Sequence, residues 1–183
     1  MTLMVTPIGV ARTPYVDWAP HQPPDRDAPE GRFKVVIDDR YTDGLADLDR
    51  FSHIIIIAFL DRSDEVVETR VRPPWAGGRE VGLWASRSPS RPSPLGLTIV
   101  RLVRIEGNTV FTSPMDLLDG TPVVDIKPYI RSLDSHAGAN DGWIEDLDGH
   151  EHLLQHLRGV SHDHDRGHDP HHHGHHAVDE ETT

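Results

Sequence analysis

Arginine is the residue type that stands out in the middle of this chain. Residues 70–104 contain seven arginines and one acidic residue, although the whole chain carries 18 Lys and Arg against 30 Asp and Glu, a formal net charge of -12. Guanidinium groups bind phosphate and carboxylate groups bidentately, so this cluster predicts an anion-binding or nucleic-acid-binding surface. The alternative interpretation is a solvated surface in a chain that uses Arg in preference to Lys.

Two loop sequences combine charged residues with residues that fix the backbone. Arg87 and Arg91 lie four positions apart in a segment with three prolines, which restrict φ and remove backbone donors. Such a loop is stiff and holds its charged side chains in place. Asp119 opens an Asp-Gly-Thr-Pro sequence typical of a turn, in which Asp is able to bond downstream backbone and Gly is able to adopt positive φ. Each loop either binds a ligand or only caps the fold.

Composition and spacing exclude several common functions. The chain has no Cys, which excludes disulfides, thiolate zinc sites and cysteine nucleophiles. Neither G-x-G-x-x-G nor G-x-S-x-G occurs, and the glycine spacing of a P-loop at residues 77–82 is followed by Leu83 instead of the essential Lys. The longest apolar run, residues 54–60, is far shorter than the ~20 residues of a membrane span. With no basic, apolar leader at its start, the chain is predicted to be cytoplasmic.

The elements that must position these loops are mainly strands. Segments rich in β-branched residues and bounded by Gly or Pro predict strands at residues 5–12, 32–38, 53–60, 81–86, 97–105, 109–113 and 123–126. A Gly107-Asn108 turn predicts that 97–105 and 109–113 pair antiparallel, and the apolar run 54–57 suits a strand covered on both faces. Short helices are predicted within 41–50 and 150–158. The pattern indicates a barrel or sandwich with long loops.

Histidine dominates the last part of the chain. Residues 161–176 hold eight of the 14 His and three Asp, with nothing able to form a core. This composition predicts a disordered tail that binds nickel or zinc loosely. The candidate metal ligands are His162, His164, His168, His171, His172, His173, His175 and His176.

Four sequence segments occur in a characteristic order. They are PIGV and RTPY at residues 7–15, GL and FSHI at 44–54, SRSPSRPSPLGL at 86–97, and LDGTPVVDIKPY at 118–129. In these segments the chain resembles the TsaA-like (TrmO) family of S-adenosylmethionine-dependent tRNA methyltransferases. The resemblance implies a mainly β fold, a small antiparallel β-barrel of the class VIII methyltransferase type with long loops, here followed by the His-rich tail. It predicts a barrel domain at residues 1–133, an extension with a short helix at 134–160, and the tail at 161–183.

The resemblance also implies an activity, partners and a set of cofactor contacts. The expected activity is N6-methylation of threonylcarbamoyladenosine beside the tRNA anticodon by a homodimer, with no membrane or DNA partner. The S-adenosylmethionine contacts implied are Pro20, His21, Gln22, Leu60, Asp61, Arg87, Leu97, Asp116, Leu117, Leu118 and Asp119. Arg91 is an RNA or cofactor contact, and we predict that the stretch from Arg70 and Arg72 to Arg104 is the RNA face.

The chain departs from the family pattern at two of these places. Pro20-His21-Gln22 replaces Pro-Arg-Gln, and Leu60-Asp61 replaces an aromatic residue followed by His. The general base that removes a proton from the acceptor nitrogen is therefore open, with Asp61, Asp116, Asp119 and Tyr129 as candidates.

Three hypotheses follow from the sequence. The chain is a tRNA methyltransferase, a methyltransferase of the same fold that acts on a small molecule, or a metal-binding protein whose barrel carries the tail.

Overall fold

Strands form most of the regular structure in the computed structural model, which describes residues 4–20, 31–63 and 68–147. The strands are β1 Gly9–Arg12, β2 Lys34–Ile37, β3 His53–Phe59, β4 Arg70–Val71, β5 Val81–Gly82, β6 Leu95–Glu106, β7 Thr109–Thr112 and β8 Pro122–Pro128. Short 3-10 helices span Asp39–Leu45, Leu48–Arg50, Leu83–Ala85 and Gly142–Asp146, and the α-helix α1 spans Arg131–Asp134. Within the described residues no helix is long and apolar enough to cross a membrane.

Six of the strands close into an antiparallel barrel. Their order is β1-β2-β7-β6-β3-β8, and β8 pairs with β1 to complete the ring. The remaining two, β4 and β5, form a separate hairpin in which Arg70 faces Gly82. We call residues 70–82 the arm. The predicted mainly β, antiparallel architecture is therefore confirmed. Of the two predicted forms, barrel or sandwich, the chain forms the barrel.

The barrel interior is built from alternate residues of each strand, as the period of two along a strand requires. On β3, Ile54, Ile56 and Ala58 are fully buried and point inward. Ile55 and Ile57 point outward and are only half-buried. The prediction that this strand is covered on both faces is wrong for a single chain, because no helix or loop among the described residues covers the outer face completely.

Local sequence signals gave the hairpin correctly and one strand incorrectly. Glu106 faces Thr109 across a two-residue turn in which Gly107 has φ 59°. The predicted strand at 81–86 ends at Gly82, because Leu83 turns inward, is 2% exposed and starts a 3-10 helix. The helix expected within 41–50 is present as two 3-10 helices. The helix predicted at 150–158 lies outside the described residues.

A segment after the barrel packs against the arm. The Trp143 and Trp75 rings stack with centroids 5.3 Å apart. Arg79 donates to the Trp143 carbonyl at 3.2 Å and forms an ion pair with Asp146 at 3.0 Å. The Trp143 indole Nε1 donates to the Ala85 carbonyl at 2.7 Å. We call residues 141–147 the strap, since they fasten the arm to the start of the loop that follows Ala85.

Candidate functional site

A cleft of about 490 Å³ opens at one end of the barrel, where β3 ends and β6 and β8 begin. Residues 17–20, 60–63, 86–89, 91 and 116–118 line it, together with strand residues 95–97 and Thr121. The loops meet here because antiparallel neighbours bring the end of one strand beside the start of the next. A volume of this size is typical of sites for small organic molecules.

The loop at residues 86–91 is held together by Arg91. Its Nε donates to the Ser88 carbonyl at 2.8 Å, and its Nη2 donates to the carbonyls of Leu83, at 3.0 Å, and Ser86. Donors on a charged group make strong hydrogen bonds, so these contacts stiffen the loop. Arg91 lines the cleft but directs these donors into its own loop. Its contact with RNA or cofactor stays a prediction.

Arg87 and Asp116 are in a different situation. Both line the cleft, and neither forms a hydrogen bond or ion pair with any residue in the described part of the chain. Arg87 is exposed and Asp116 is half-buried. The cleft therefore presents one cationic and one anionic side chain whose charges are available to a ligand.

Asp119 lies near the cleft and is hydrogen-bonded to residues from other parts of the chain. Its carboxylate accepts hydrogen bonds from the Thr13 backbone at 3.1 Å and from Arg12 at 3.4 Å. Its carbonyl accepts from Arg62 Nη2 at 2.8 Å, and the same nitrogen donates to Thr121 Oγ1 at 3.1 Å. These bonds tie the ends of β1, β3 and β8 together. Asp119 is thus near the cleft without lining it.

Most of the predicted cofactor contacts lie together. The cleft is lined by Pro20, Leu60, Asp61, Arg87, Leu97, Asp116, Leu117 and Leu118. His21, Gln22 and the histidines of the tail lie outside the described residues. The sequence interpretation missed Asp17, Trp18, Arg62, Ser86 and Ser88, which also line the cleft. Arg62 had a usable signal, since a residue just beyond a strand must lie at the rim of the barrel.

Tyr129 lies at the opposite end of the barrel. It follows β8, whose last residue Pro128 faces Ile54, whereas the cleft adjoins the other end of β3. The Tyr129 ring packs edge-on against His53, with centroids 6.4 Å apart. Seven strand residues separate these ends by about 20 Å. Within one chain the Tyr129 hydroxyl is therefore out of reach of a ligand in the cleft.

The arginines of residues 70–104 lie on the arm, at the cleft and on β6. Arg70 and Arg72 lie on the arm and share the carboxylate of Glu80, which is 3.1 Å from Arg70 Nε. Arg101 faces His53 at the far end of β6, and Arg104, farther along the same strand, pairs with Glu106 at 2.7 Å. β6 carries its two arginines away from the cleft, and an RNA face from Arg70 to Arg104 stays a prediction. The other arginines of residues 70–104 lie on the arm or at the rim of the cleft.

Comparison with known proteins agrees with this architecture. Residues 10–135 match the family model of the tRNA-methyltransferase O N-terminal domain. A probable S-adenosyl-L-methionine-binding protein of Archaeoglobus fulgidus is 38% identical over 153 residues, which cover 80% of this chain and 39% of that protein. A second S-adenosyl-L-methionine-binding protein of the same organism is 36% identical, over 72% of this chain and 93% of its own length. The mouse tRNA (adenine(37)-N6)-methyltransferase is 41% identical over 92 residues, which cover 50% of this chain and 21% of the mouse protein.

Solved structures give the same result. A crystal structure of TrmO matches with a TM-score of 0.64 and 32% identity, covering 78% of this chain and 64% of the TrmO chain. The present chain thus spans less than two thirds of that protein and 39% of the first Archaeoglobus relative. On the match over residues 10–135 and the shared barrel, the chain belongs to the TrmO N-terminal domain family.

Proposed function

We propose that the protein is an S-adenosylmethionine-dependent methyltransferase that binds its cofactor in the cleft and methylates tRNA. The specific reaction proposed is N6-methylation of threonylcarbamoyladenosine next to the anticodon. The observation that carries the proposal is the pair Arg87 and Asp116, two oppositely charged side chains without partners among the described residues, in the cleft of a chain that matches the TrmO family.

The chemistry of the cleft suits this cofactor. S-adenosylmethionine has a carboxylate at one end and two cationic groups, an ammonium and a sulfonium. The Arg87 guanidinium matches the carboxylate, and the Asp17 carboxylate matches a cationic group. Leu60, Leu97, Leu117 and Leu118 supply apolar surface for the adenosine. These residues support the cleft as the binding site for S-adenosylmethionine.

The protein's own part in the reaction is positioning and proton transfer. S-adenosylmethionine supplies a methyl group that is already electrophilic, so the cleft has to align the acceptor and exclude water. Asp116 is the candidate general base, since its carboxylate has no partner within the described residues. Asp119 is held by Thr13, and Asp61 lies 3.6 Å from Arg62. We therefore propose that the Asp116 carboxylate accepts the proton that the acceptor nitrogen loses.

Calorimetry tests the cofactor assignment. Arg87→Ala is expected to bind S-adenosylmethionine about tenfold to a hundredfold more weakly, because it loses a charge-assisted hydrogen bond. Arg50→Ala is the matched control, since Arg50 is exposed and lies at Leu48–Arg50, away from the cleft. Equal affinity in both variants would remove Arg87 from the site.

The acceptor is tested separately by nucleoside mass spectrometry of tRNA from a deletion strain. Loss of the methylated threonylcarbamoyl nucleoside, restored by the gene, supports tRNA as the acceptor. An unchanged nucleoside pattern favours the second candidate, a small-molecule acceptor. The observation that favours this candidate is Asp61, an acid lining the cleft where the family has an imidazole.

We also propose a homodimer that covers the outer face of β3 and β6. On this face Ile57 pairs with Leu97 and Ile55 pairs with Ile99. Leu97 is 54% exposed and Ile99 is 50% exposed, so a contiguous apolar surface faces solvent in the single chain. Sedimentation of wild type against Ile99→Glu tests this, since a charge in a covered apolar face should convert the dimer to monomer.

A further inference from the structure

The four tryptophans of this chain divide into two pairs with different surroundings. Trp75 and Trp143 stack on each other with their planes 10° from parallel, and this pair joins the arm to the strap. Trp18 and Trp84 are instead 69% and 74% exposed. Indole rings have a large apolar surface and usually bury it, so two exposed rings near one cleft indicate contact with a ligand.

Trp84 lies at the rim of the cleft. The Arg91 guanidinium carbon is 5.7 Å from the centroid of the Trp84 ring, and Arg91 is one of the residues that line the cleft. On its other side Trp84 follows β5, in which Gly82 faces Arg70 of the arm. Along the chain, Trp84 therefore lies between the arm and the loop that lines the cleft.

The backbone on both sides of Trp84 is fixed, although its ring is exposed. Leu83 is buried, and its carbonyl accepts hydrogen bonds from Ser86 Oγ at 2.9 Å and from Arg91 at 3.0 Å. The Ala85 carbonyl accepts from the Trp143 indole at 2.7 Å. A large aromatic side chain on a rigid backbone loses little conformational entropy when it binds, as is usual in binding hot spots.

We propose that the Trp84 indole stacks on an unpaired RNA base next to the methylated nucleotide. This inference rests on the tRNA acceptor proposed above. Proteins recognise RNA loops by stacking splayed bases on aromatic rings while arginines contact the phosphates. Trp84 has the exposed ring, and Arg70 and Arg72 of the arm, which share the single carboxylate of Glu80, have the surplus positive charge.

Charge favours RNA over a second copy of the chain as the occupant of this surface. In a two-fold contact the same patch lies on both subunits. A contact centred on Trp84 would therefore bring Arg87 and the two arm arginines, which share the single carboxylate of Glu80, against their own copies. A polyanion meets the same patch with opposite charge.

The test compares Trp84→Ala and Trp84→Phe with wild type and with Tyr41→Ala as matched control. Tyr41 also has a guanidinium over its ring, that of Arg40 at 4.7 Å, but it lies in the 3-10 helix Asp39–Leu45, beyond the end of β2 that faces away from the cleft. The probes are a tRNA anticodon stem-loop and a fully paired RNA duplex, titrated at several salt concentrations. S-adenosylmethionine affinity is measured for every variant as a check on folding and on the cleft.

We expect Trp84→Ala to bind the stem-loop about tenfold more weakly, with an unchanged slope of log affinity against log salt, because a stacking contact releases no counterion. Trp84→Phe should recover most of this loss because it keeps a ring. Affinity for the duplex, cofactor affinity and the behaviour of Tyr41→Ala should not change.

Three results would overturn the inference alone: equal stem-loop affinity in Trp84→Ala and wild type, an equal loss on the duplex, or conversion of a dimer to monomer by Trp84→Ala in sedimentation. The last of these would mean that a second copy covers the ring. A wild type that binds S-adenosylmethionine but not the stem-loop would instead overturn the tRNA acceptor, and this inference with it.

Discussion

The two ends of the barrel differ in what their polar groups contact. At the cleft end, Arg87 and Asp116 have no protein partner among the described residues. At the opposite end, His53 bonds the neighbouring serine and packs against Tyr129, and Asn108 donates to two oxygens at the end of β2 and just beyond it. His53 and Asn108 thus bond within the chain at one end, whereas Arg87 and Asp116 keep their charges available for a ligand at the other.

The same contrast occurs within a single loop. Arg87 and Arg91 belong to one sequence motif, but Arg91 donates to three backbone carbonyls, and Arg87 donates to none in the part of the chain that the structure describes. The engaged arginine makes the loop stiff, and the stiff loop presents the available one. The comparison teaches that residue type and motif locate a site, whereas hydrogen-bond partners decide which member binds the ligand and which supports it.

The largest expected difference is in the rate of methyl transfer, between variants at the two ends of the barrel. Asp116→Asn should reduce methyl transfer to tRNA by about 10²- to 10⁴-fold, the usual effect of losing a general base. Tyr129→Phe removes the hydroxyl of another candidate base and should leave the rate within about twofold, since within one chain this hydroxyl is out of reach of the cleft. Single-turnover transfer from labelled S-adenosylmethionine measures both. A loss in Tyr129→Phe comparable to that in Asp116→Asn would contradict the assignment.

The next largest difference is in the free energy of unfolding, between variants of Arg87 and Arg91. Arg91→Met removes three hydrogen bonds from a charged donor, so the free energy of unfolding should fall by about 2 kcal/mol. Arg87→Met removes no contact within the described residues and should stay within about 0.5 kcal/mol of wild type. Urea denaturation of both variants checks this. Similar losses in the two would show that Arg87 also supports the fold.

The sequence predicted the strands and the cleft segments better than it predicted individual roles. β-Branched runs and the Gly107-Asn108 turn are local signals, and the elements that depend on them were found. The arm hairpin was missed because β4 is two residues long and pairs with β5 about ten residues away. Asp119 was assigned to the cofactor, although its bonds to Arg12 and Thr13 join positions more than 100 residues apart, which no spacing pattern reveals.

A smaller effect is expected where the backbone of β6 meets the cleft. A Cβ added at Gly96 would lie 3.0 Å from Leu60 Cδ2, the end of a flexible side chain that lines the cleft. Gly96→Ala should therefore shift Leu60 and weaken S-adenosylmethionine binding by about threefold, with less than about 1 kcal/mol lost from unfolding. Gly44→Ala is the control, because an added Cβ there meets nothing within 4 Å. Unchanged cofactor affinity in Gly96→Ala would mean that Leu60 does not contact the cofactor.

The smallest expected effect comes from removing the His-rich tail. Residues 161–183 lie outside the 10–135 match to the family and contain no apolar run able to dock on the barrel. Ordering such a segment in a site costs about 1–2 kcal/mol of backbone entropy per residue, with no burial to offset it. A chain ending at Val160 should therefore keep wild-type cofactor affinity and turnover, while it loses most of its bound nickel or zinc. Turnover that collapses on truncation, or returns only with added metal, would make the tail part of the catalytic machinery. The functional difference would then lie between the barrel and the tail, and not between the two ends of the barrel.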